Sequence, residues 1–247
     1  MVQAPQRTAF SGPTLIRLLA RLADVEVTES RQSLSDRLSQ WVHWTDAIAL
    51  STALNGNLPC APPGGHALGS VEEIECARVR SALVNAIAGG SASAAAKRHG
   101  PAQTSSQGDS MDAALDYPAF RQIYLSMQQT METGIGNLRG RLRAKLAART
   151  PDMSRLAEVD AVMERALSPR ERSLLATVPG LLGGHFERLR KADRETRADA
   201  QALEDASVIA PGAWLTVFRK DMRSVLLAEL DLRFQPVEGL LAALRTR

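Results

Sequence analysis

Apolar side chains recur every three or four residues along most of the chain, which is the spacing of one face of an α-helix. The longest stripe is Tyr117, Phe120, Tyr124, Met127, Met131, Ile135, Leu138, Leu142 and Leu146. It predicts a straight amphipathic helix with Asp116 as its N-cap. No segment alternates apolar and polar positions with β-branched residues, as a strand would. The pattern therefore predicts an all-α fold, an antiparallel bundle of about six to eight helices.

Prolines and glycines divide the remaining stripes. Ser168-Pro169, Pro211 and Pro236 each predict the start of a new helix, and Pro179-Gly180 predicts a kink or split. The glycines Gly134, Gly136 and Gly140 inside the longest stripe predict a bend or a close helix crossing. The stripes between Leu215 and Leu244 hold more apolar residues than one helix side needs. They predict a buried central helix, with a surface awaiting a partner as the alternative.

Two stretches lack an apolar stripe and predict loops. Residues 55–69 are rich in proline and glycine, and residues 89–112 are rich in alanine, glycine, serine and glutamine. The second stretch predicts a flexible, low-complexity linker. It divides the chain into an N-terminal helical region, residues 1–88, and a C-terminal helical bundle, residues 113–247.

Composition narrows the class of protein. The chain of 247 residues is 45% hydrophobic, which is ordinary for a globular protein. It has no run of 18 uncharged apolar residues, so the sequence predicts no membrane insertion, and the polar residues 1–10 predict no secretory signal. Cys60 and Cys76 are too few and too isolated for a disulfide framework. We expect a cytoplasmic protein with free thiols.

No motif predicts a cofactor, a metal or an active site. His43 and Asp46 have helical i, i+3 spacing and could give two metal ligands, but no third ligand is evident. The segment Gly134–Gly140 has the wrong glycine spacing for a phosphate-binding loop and follows no strand. The sequence therefore predicts a protein that is not an enzyme and holds no cofactor or metal, although carboxylates distant in sequence could still converge.

One local charge pattern favours nucleic acid. Arg139, Arg143, Lys145 and Arg149 belong to a run without acidic residues between Glu132 and Asp152. On a helix, part of this run forms a candidate nucleic-acid or anion face that could neutralise several phosphates. The alternative is a solvated helix C-terminus, where positive charge is favoured by the helix dipole. The net charge of +3 does not decide between them.

The three tryptophans offer candidate partner contacts. Trp41 lies on its apolar stripe, which predicts a core position. Trp44 lies off that stripe, and an exposed tryptophan is a common anchor in protein interfaces. With Trp214 it forms the candidate partner surface. The abundance of amphipathic stripes predicts an interaction protein that binds another helical protein, with a homo-oligomer as a further possibility.

Several stretches resemble a proteobacterial family of unknown function. They are AFSGPTLIRLL (residues 9–19), LSQWVHWTDAIAL (residues 38–50), SPRER (residues 168–172) through HFERL (residues 185–189), and residues 221–241 with the ending QPVEGLL. The resemblance covers the whole chain apart from the two loops, and it includes no catalytic motif.

Members of that family resemble accessory proteins encoded beside a proton-channel stator pair similar to flagellar-motor and OmpA-type proteins. Some such gene clusters are described as Zorya type III antiphage defence systems. The resemblance therefore implies a cytosolic component of a membrane-motor defence system, with another protein of the same gene cluster as its partner. It implies no residue roles.

Overall fold

The computed structural model describes residues 14–26, 32–56, 69–96, 116–202 and 212–245. Within these ranges the chain forms helices and no strand, which confirms the predicted all-α fold. In chain order the helices are α1 (Thr14–Ala23), α2 (Leu34–Trp41), α3 (Trp44–Asn55), α4 (Gly69–Ala96), α5 (Tyr117–Ala147), α6 (Pro151–Leu175), α7 (Val178–Ala202) and α8 (Ala213–Arg245).

Local sequence signals set several of the helix starts. The Ser33 hydroxyl accepts a hydrogen bond from the backbone N–H of Asp36, and the Asp36 carboxylate accepts one from Ser33, so α2 begins with a capping box. Thr150 caps α6 by accepting from the N–H of Met153. Pro151 follows Thr150 at the first position of α6, where a missing N–H costs nothing.

Helix α8 is the buried centre of the bundle, as its apolar stripes predict. It packs against α1, α4, α5 and α7, while α5 packs against α4, α6, α7 and α8. An aromatic cluster fills one level of this core: the Phe186 ring lies 5.0 Å from both Phe218 and Trp214 and 6.0 Å from Phe120, measured between ring centroids. The contacts of Phe186 with Phe218 and Trp214 are edge to face, a geometry that adds to the stability gained by burial.

The predicted linker begins too early. Residues 89–96 continue α4, and the rest of the linker lies outside the described residues. Helix α4 packs against α5 and α8, and its Leu83 and Ile87 belong to the same buried core as Leu138 and Leu226. Alanine is the best helix former, which explains why an alanine-rich stretch without an apolar stripe can extend a helix. Described helices from both sides of the predicted linker therefore share one core.

The prolines Pro169 and Pro236 do not start new helices. Both lie inside continuous helices, α6 and α8, each of which packs against neighbouring helices. Beside Pro169 the Ser168 hydroxyl donates to the Glu164 carbonyl at 2.6 Å, a side-chain hydrogen bond within the same turn. The split predicted at Pro179 is confirmed, since α7 begins at Val178. Pro211 lies outside the described residues.

The glycines of α5 do not mark a close helix crossing. A Cβ at Gly134 would lie 3.7 Å from Leu83, which is ordinary contact, and a Cβ at Gly136 or Gly140 would meet nothing within 4 Å. The close approach is at Gly183 of α7, where a Cβ would lie 2.9 Å from the Tyr117 ring. The close crossing predicted from the α5 glycines was wrong, because glycine spacing alone does not show which helix face has a close neighbour; the alternative of a bend stays a prediction.

Candidate functional site

The candidate nucleic-acid face on α5 is engaged inside the fold. Arg139 makes a bidentate contact with Asp160 of α6, at 2.9 Å from Nε to Oδ2 and 2.6 Å from Nη2 to Oδ1. Arg143 pairs with Asp160 at 3.1 Å and with Glu164. These four side chains are mostly shielded from solvent, and the two carboxylates raise the pKa of Arg143 against the opposing effect of its burial. The pairs stabilise the contact between α5 and α6.

The other two cations of that face, Lys145 and Arg149, bind groups on α4 and α8. Lys145 donates to the Glu72 carboxylate of α4, and Arg149 donates to the backbone carbonyl of Leu244 in α8. All four candidate residues therefore have partners on α4, α6 or α8. This geometry does not favour phosphate binding, because each cation would have to leave its partner first.

Glu72 is fully buried at the start of α4. Burial alone would raise the pKa of its carboxyl, but the hydrogen bond from Lys145 and the charges of Lys145 and Arg149 hold that pKa below its usual value. One carboxylate oxygen accepts from Lys145, while Oε2 has no hydrogen-bond partner. The site is a charge pair that ties α4 to α5.

A second buried carboxylate, Glu229, organises the middle of the bundle. It accepts hydrogen bonds from Tyr124 at 2.6 Å, Gln128 at 3.0 Å and Arg233 at 2.9 Å. Arg233, with 7% of its side chain exposed, also donates to Glu171 of α6 at 3.0 Å. The network joins α5, α6 and α8. Burial and the neighbouring carboxylate raise the pKa of Tyr124, so its hydroxyl remains a donor at physiological pH.

The three tryptophans have different surroundings. Trp214 is partly buried and packs edge to face against Phe186 at the border of the core, so less of its ring is open to a partner than in Trp44. Trp41 is half-buried rather than in the core, and the guanidinium of Arg170 lies over its ring at 5.7 Å. Trp44 has 79% of its surface exposed, as expected for a partner contact.

Helix α3 has apolar residues on two opposite sides. Ala53 is buried and Ala49 and Leu50 are half-buried on the side that faces α6, the helix against which α3 packs. The other side carries Trp44, Ala47, Ile48, Ser51 and Leu54, all exposed. At 100° per residue these five positions cover an arc of about 120°. We call this arc the α3 face.

The α3 face contains no charged side chain. The acid of α3, Asp46, is half-buried and accepts a hydrogen bond from the backbone N–H of His43, which completes the helix start. This contact explains the i, i+3 spacing of His43 and Asp46 without a metal. Ile48 and Leu54 are 51% and 56% exposed. An uncharged, apolar arc with a tryptophan at one end is the composition of an interface core.

A cleft of about 450 Å³ lies where α2, α5, α6 and α8 meet. Its apolar walls include Trp41, Ile135, Leu167 and Leu232, and its charged residues are Glu132, Arg139, Glu164, Arg170, Glu171, Arg172 and Arg233. Pro236 and Gly136 also line it. We call this space the Trp41 cleft.

Among the described residues, no group of three His, Cys, Asp or Glu side chains is close enough together to hold a metal ion. His185 lies 2.9 Å from Asp221, joining α7 to α8, while Cys60, His66 and His99 fall outside the described ranges. Cys76 is buried and free, and burial raises the pKa of its thiol. None of the described helices has a stretch both long and apolar enough to cross a membrane.

Sequence reasoning missed the buried carboxylates and the Trp41 cleft. A signal for the first existed: Glu229 and Arg233 are four residues apart within an otherwise apolar stripe. The cleft has no such signal, because its walls come from four separate helices.

Comparison with known proteins gives one match. No curated protein and no solved structure matches the chain significantly. A sequence profile described as a protein of unknown function, DUF3348, matches residues 1–246. Since this match spans nearly the whole sequence, the chain belongs to the DUF3348 family.

Proposed function

We propose that this protein is a non-enzymatic helical interaction protein that binds a companion helical protein through the α3 face. The exposure of Trp44, at 79%, is the observation that carries the proposal. The same helix packs its opposite side against α6, so its orientation is fixed before a partner arrives. A preorganised apolar surface loses little conformational entropy on binding.

The size of the α3 face fits an anchor for a partner helix. Full burial of a large apolar side chain gives about 2 kcal/mol, and Trp44, Ile48 and Leu54 all have surface left to bury. A partner helix would need its own uncharged apolar stripe, because a charge placed against this face would lose water without gaining a partner.

The proposed location and partner of the protein rest on the family resemblance described above. We place the protein in the cytoplasm as a component of an antiphage defence system coupled to a proton-driven membrane motor, with its partner encoded in the same gene cluster. Nucleic-acid binding through Arg139, Arg143, Lys145 and Arg149 is the less favoured function, because these cations already bind groups within the fold.

Co-purification tests the proposal. The tagged protein is expressed with each product of the neighbouring genes, as the wild type and as Trp44→Glu and Ile48→Glu. The matched control is Ile74→Glu, which places the same charge at a residue of α4 that is 68% exposed and lies outside the α3 face. We expect one neighbour to co-elute with wild type and control, and the α3 variants to lose it.

Three results would overturn the proposal. One is retention of the partner by Trp44→Glu and Ile48→Glu at the level of the control, and another is the failure of every neighbour to bind the wild type. The third is a wild-type dimer that becomes monomeric in Trp44→Glu, measured by light scattering, since the α3 face would then bind a second copy of this chain.

A further inference from the structure

We propose that the Trp41 cleft binds a small anionic amphiphile, with its apolar body between the walls and its acidic head group on Arg170. This ligand site is independent of the α3 face. The volume of about 450 Å³ lies in the range of about 300–1,000 Å³ that is usual for small-molecule sites. The lining combines apolar side chains with seven charged residues, of which six are paired with each other, so that one charged group is left to orient a ligand.

The charged residues that line the cleft favour a ligand with a negatively charged head group. The carboxylates Glu132, Glu164 and Glu171 are each within 3.6 Å of an arginine, namely Arg172, Arg143 and Arg233 respectively. Arg139 and Arg233 also have carboxylate partners. Within the described part of the chain, Arg170 is the lining cation that pairs with no carboxylate.

Arg170 is held in place without being neutralised. Its guanidinium lies over the ring of Trp41 at 5.7 Å, a cation–π contact that orients the group and leaves its N–H donors available. Arginine presents a planar set of donors that matches a carboxylate or a phosphate. An anion bound there would have Trp41 directly beside its apolar portion.

Two of the helices that form the cleft, α6 and α8, each contain an interior proline next to it. The prolines inside the described helices α6 and α8, Pro169 and Pro236, both lie at this cleft: Pro236 lines it, and Pro169 stands between the lining residues Ser168 and Arg170. An interior proline costs about 3 kcal/mol in a helix, because it removes a hydrogen bond and its ring clashes with the preceding turn. The ring of Pro236 forms part of the cleft wall, and Pro169 is exposed beside it.

Calorimetric titration with dodecanoate tests the proposal on the full chain. Gly136→Leu adds a side chain into the cleft at a position where a Cβ meets nothing within 4 Å, so we expect the variant to fold. The control Gly140→Leu makes the same change on the same helix, at a residue with equally open space outside the cleft lining. Arg170→Gln removes the proposed head-group contact from an exposed position.

We expect one dodecanoate to bind the wild type and Gly140→Leu, Gly136→Leu to abolish binding, and Arg170→Gln to weaken it about ten-fold. Dodecyltrimethylammonium, which has the same tail and the opposite charge, should not bind. Sedimentation with phosphatidylglycerol vesicles then distinguishes a membrane lipid from a free amphiphile, both of which carry the proposed chemistry. No binding of dodecanoate, equal binding by Gly136→Leu, or equal binding of the cationic amphiphile would overturn the proposal.

Discussion

Tyr117 and Gly183 form the tightest contact between two described helices at a glycine: a Cβ on Gly183 would lie 2.9 Å from Cε1 of the Tyr117 ring. The Tyr117 hydroxyl donates to the carbonyl of Pro179, one turn earlier in α7. A hydrogen bond therefore holds the hydroxyl end of the ring, and the ring edge packs against the backbone of α7 at Gly183. Glycine at residue 183 lets the first turns of α5 and α7 approach closely.

Gly183→Ala should therefore destabilise the protein by about 1–3 kcal/mol, because the added methyl group forces the Tyr117 ring or α7 to move. Urea unfolding followed by circular dichroism measures this. The control Gly180→Ala adds a methyl group to the same helix where nothing lies within 4 Å, and it should be neutral or stabilise by about 0.5–1 kcal/mol. Equal stabilities of the two variants would contradict the prediction.

Glu229→Leu should lower the free energy of unfolding by about 3–5 kcal/mol, because it leaves the buried Arg233 without its main carboxylate. Glu229→Leu combined with Arg233→Met should recover much of this loss, since an apolar pair needs no compensating charge. The control Glu238→Gln breaks the exposed pair with Arg80 and should cost about 1 kcal/mol or less. A double variant as unstable as Glu229→Leu would show that the network is not a paired charge site.

The buried Glu72 predicts a specific dependence of stability on pH. The pKa of this carboxyl is lowered in the folded protein, so its contribution to stability is fully present above its unfolded value of about 4.5 and is lost as the pH falls through the lower folded value. Glu72→Gln should therefore be less stable than the wild type at pH 7, with the difference shrinking in acid. Urea unfolding at pH 7 and near pH 3 measures it, and an undiminished difference at the lower pH would contradict the assignment.

Arg139→Gln should act on stability rather than on nucleic-acid affinity. It removes the bidentate partner of the largely buried Asp160 and should cost about 1–3 kcal/mol. Arg141→Gln, on the same helix as Arg139, breaks a more exposed pair with Glu75 of α4 and should cost about 1 kcal/mol or less. Titration with duplex DNA at low salt is the second readout. Salt-sensitive DNA binding by the wild type that Arg139→Gln abolishes would favour the nucleic-acid interpretation.

The helices and their buried faces could be predicted from the sequence because one spacing governs both. The stripe from Phe120 to Leu146 is buried almost throughout, and the excess of apolar residues in α8 indicated its central position. The errors at Pro169 and Pro236 have a common cause. A local rule treats proline as a helix start, whereas contacts with neighbouring helices can hold a helix together across it.

The candidate sites were less predictable, since their chemistry depends on which helices meet. The exposure of Trp44 followed from its place off the apolar stripe. The ion pair of Arg139 could not be predicted in this way, because its partner Asp160 lies 21 residues away on another helix. A run of positive charges in the sequence does not show whether carboxylates from elsewhere will cover it.

The core shared by α4, α5 and α8 limits how this protein can be dissected. A fragment that begins at residue 116 would uncover the apolar surfaces of α5 and α8 on which Leu83 and Ile87 rest, and it would be prone to aggregate. Truncation experiments on this chain would therefore report misfolding before they reported a lost activity. Surface substitutions that leave every helix in place are the better means of separating its functions.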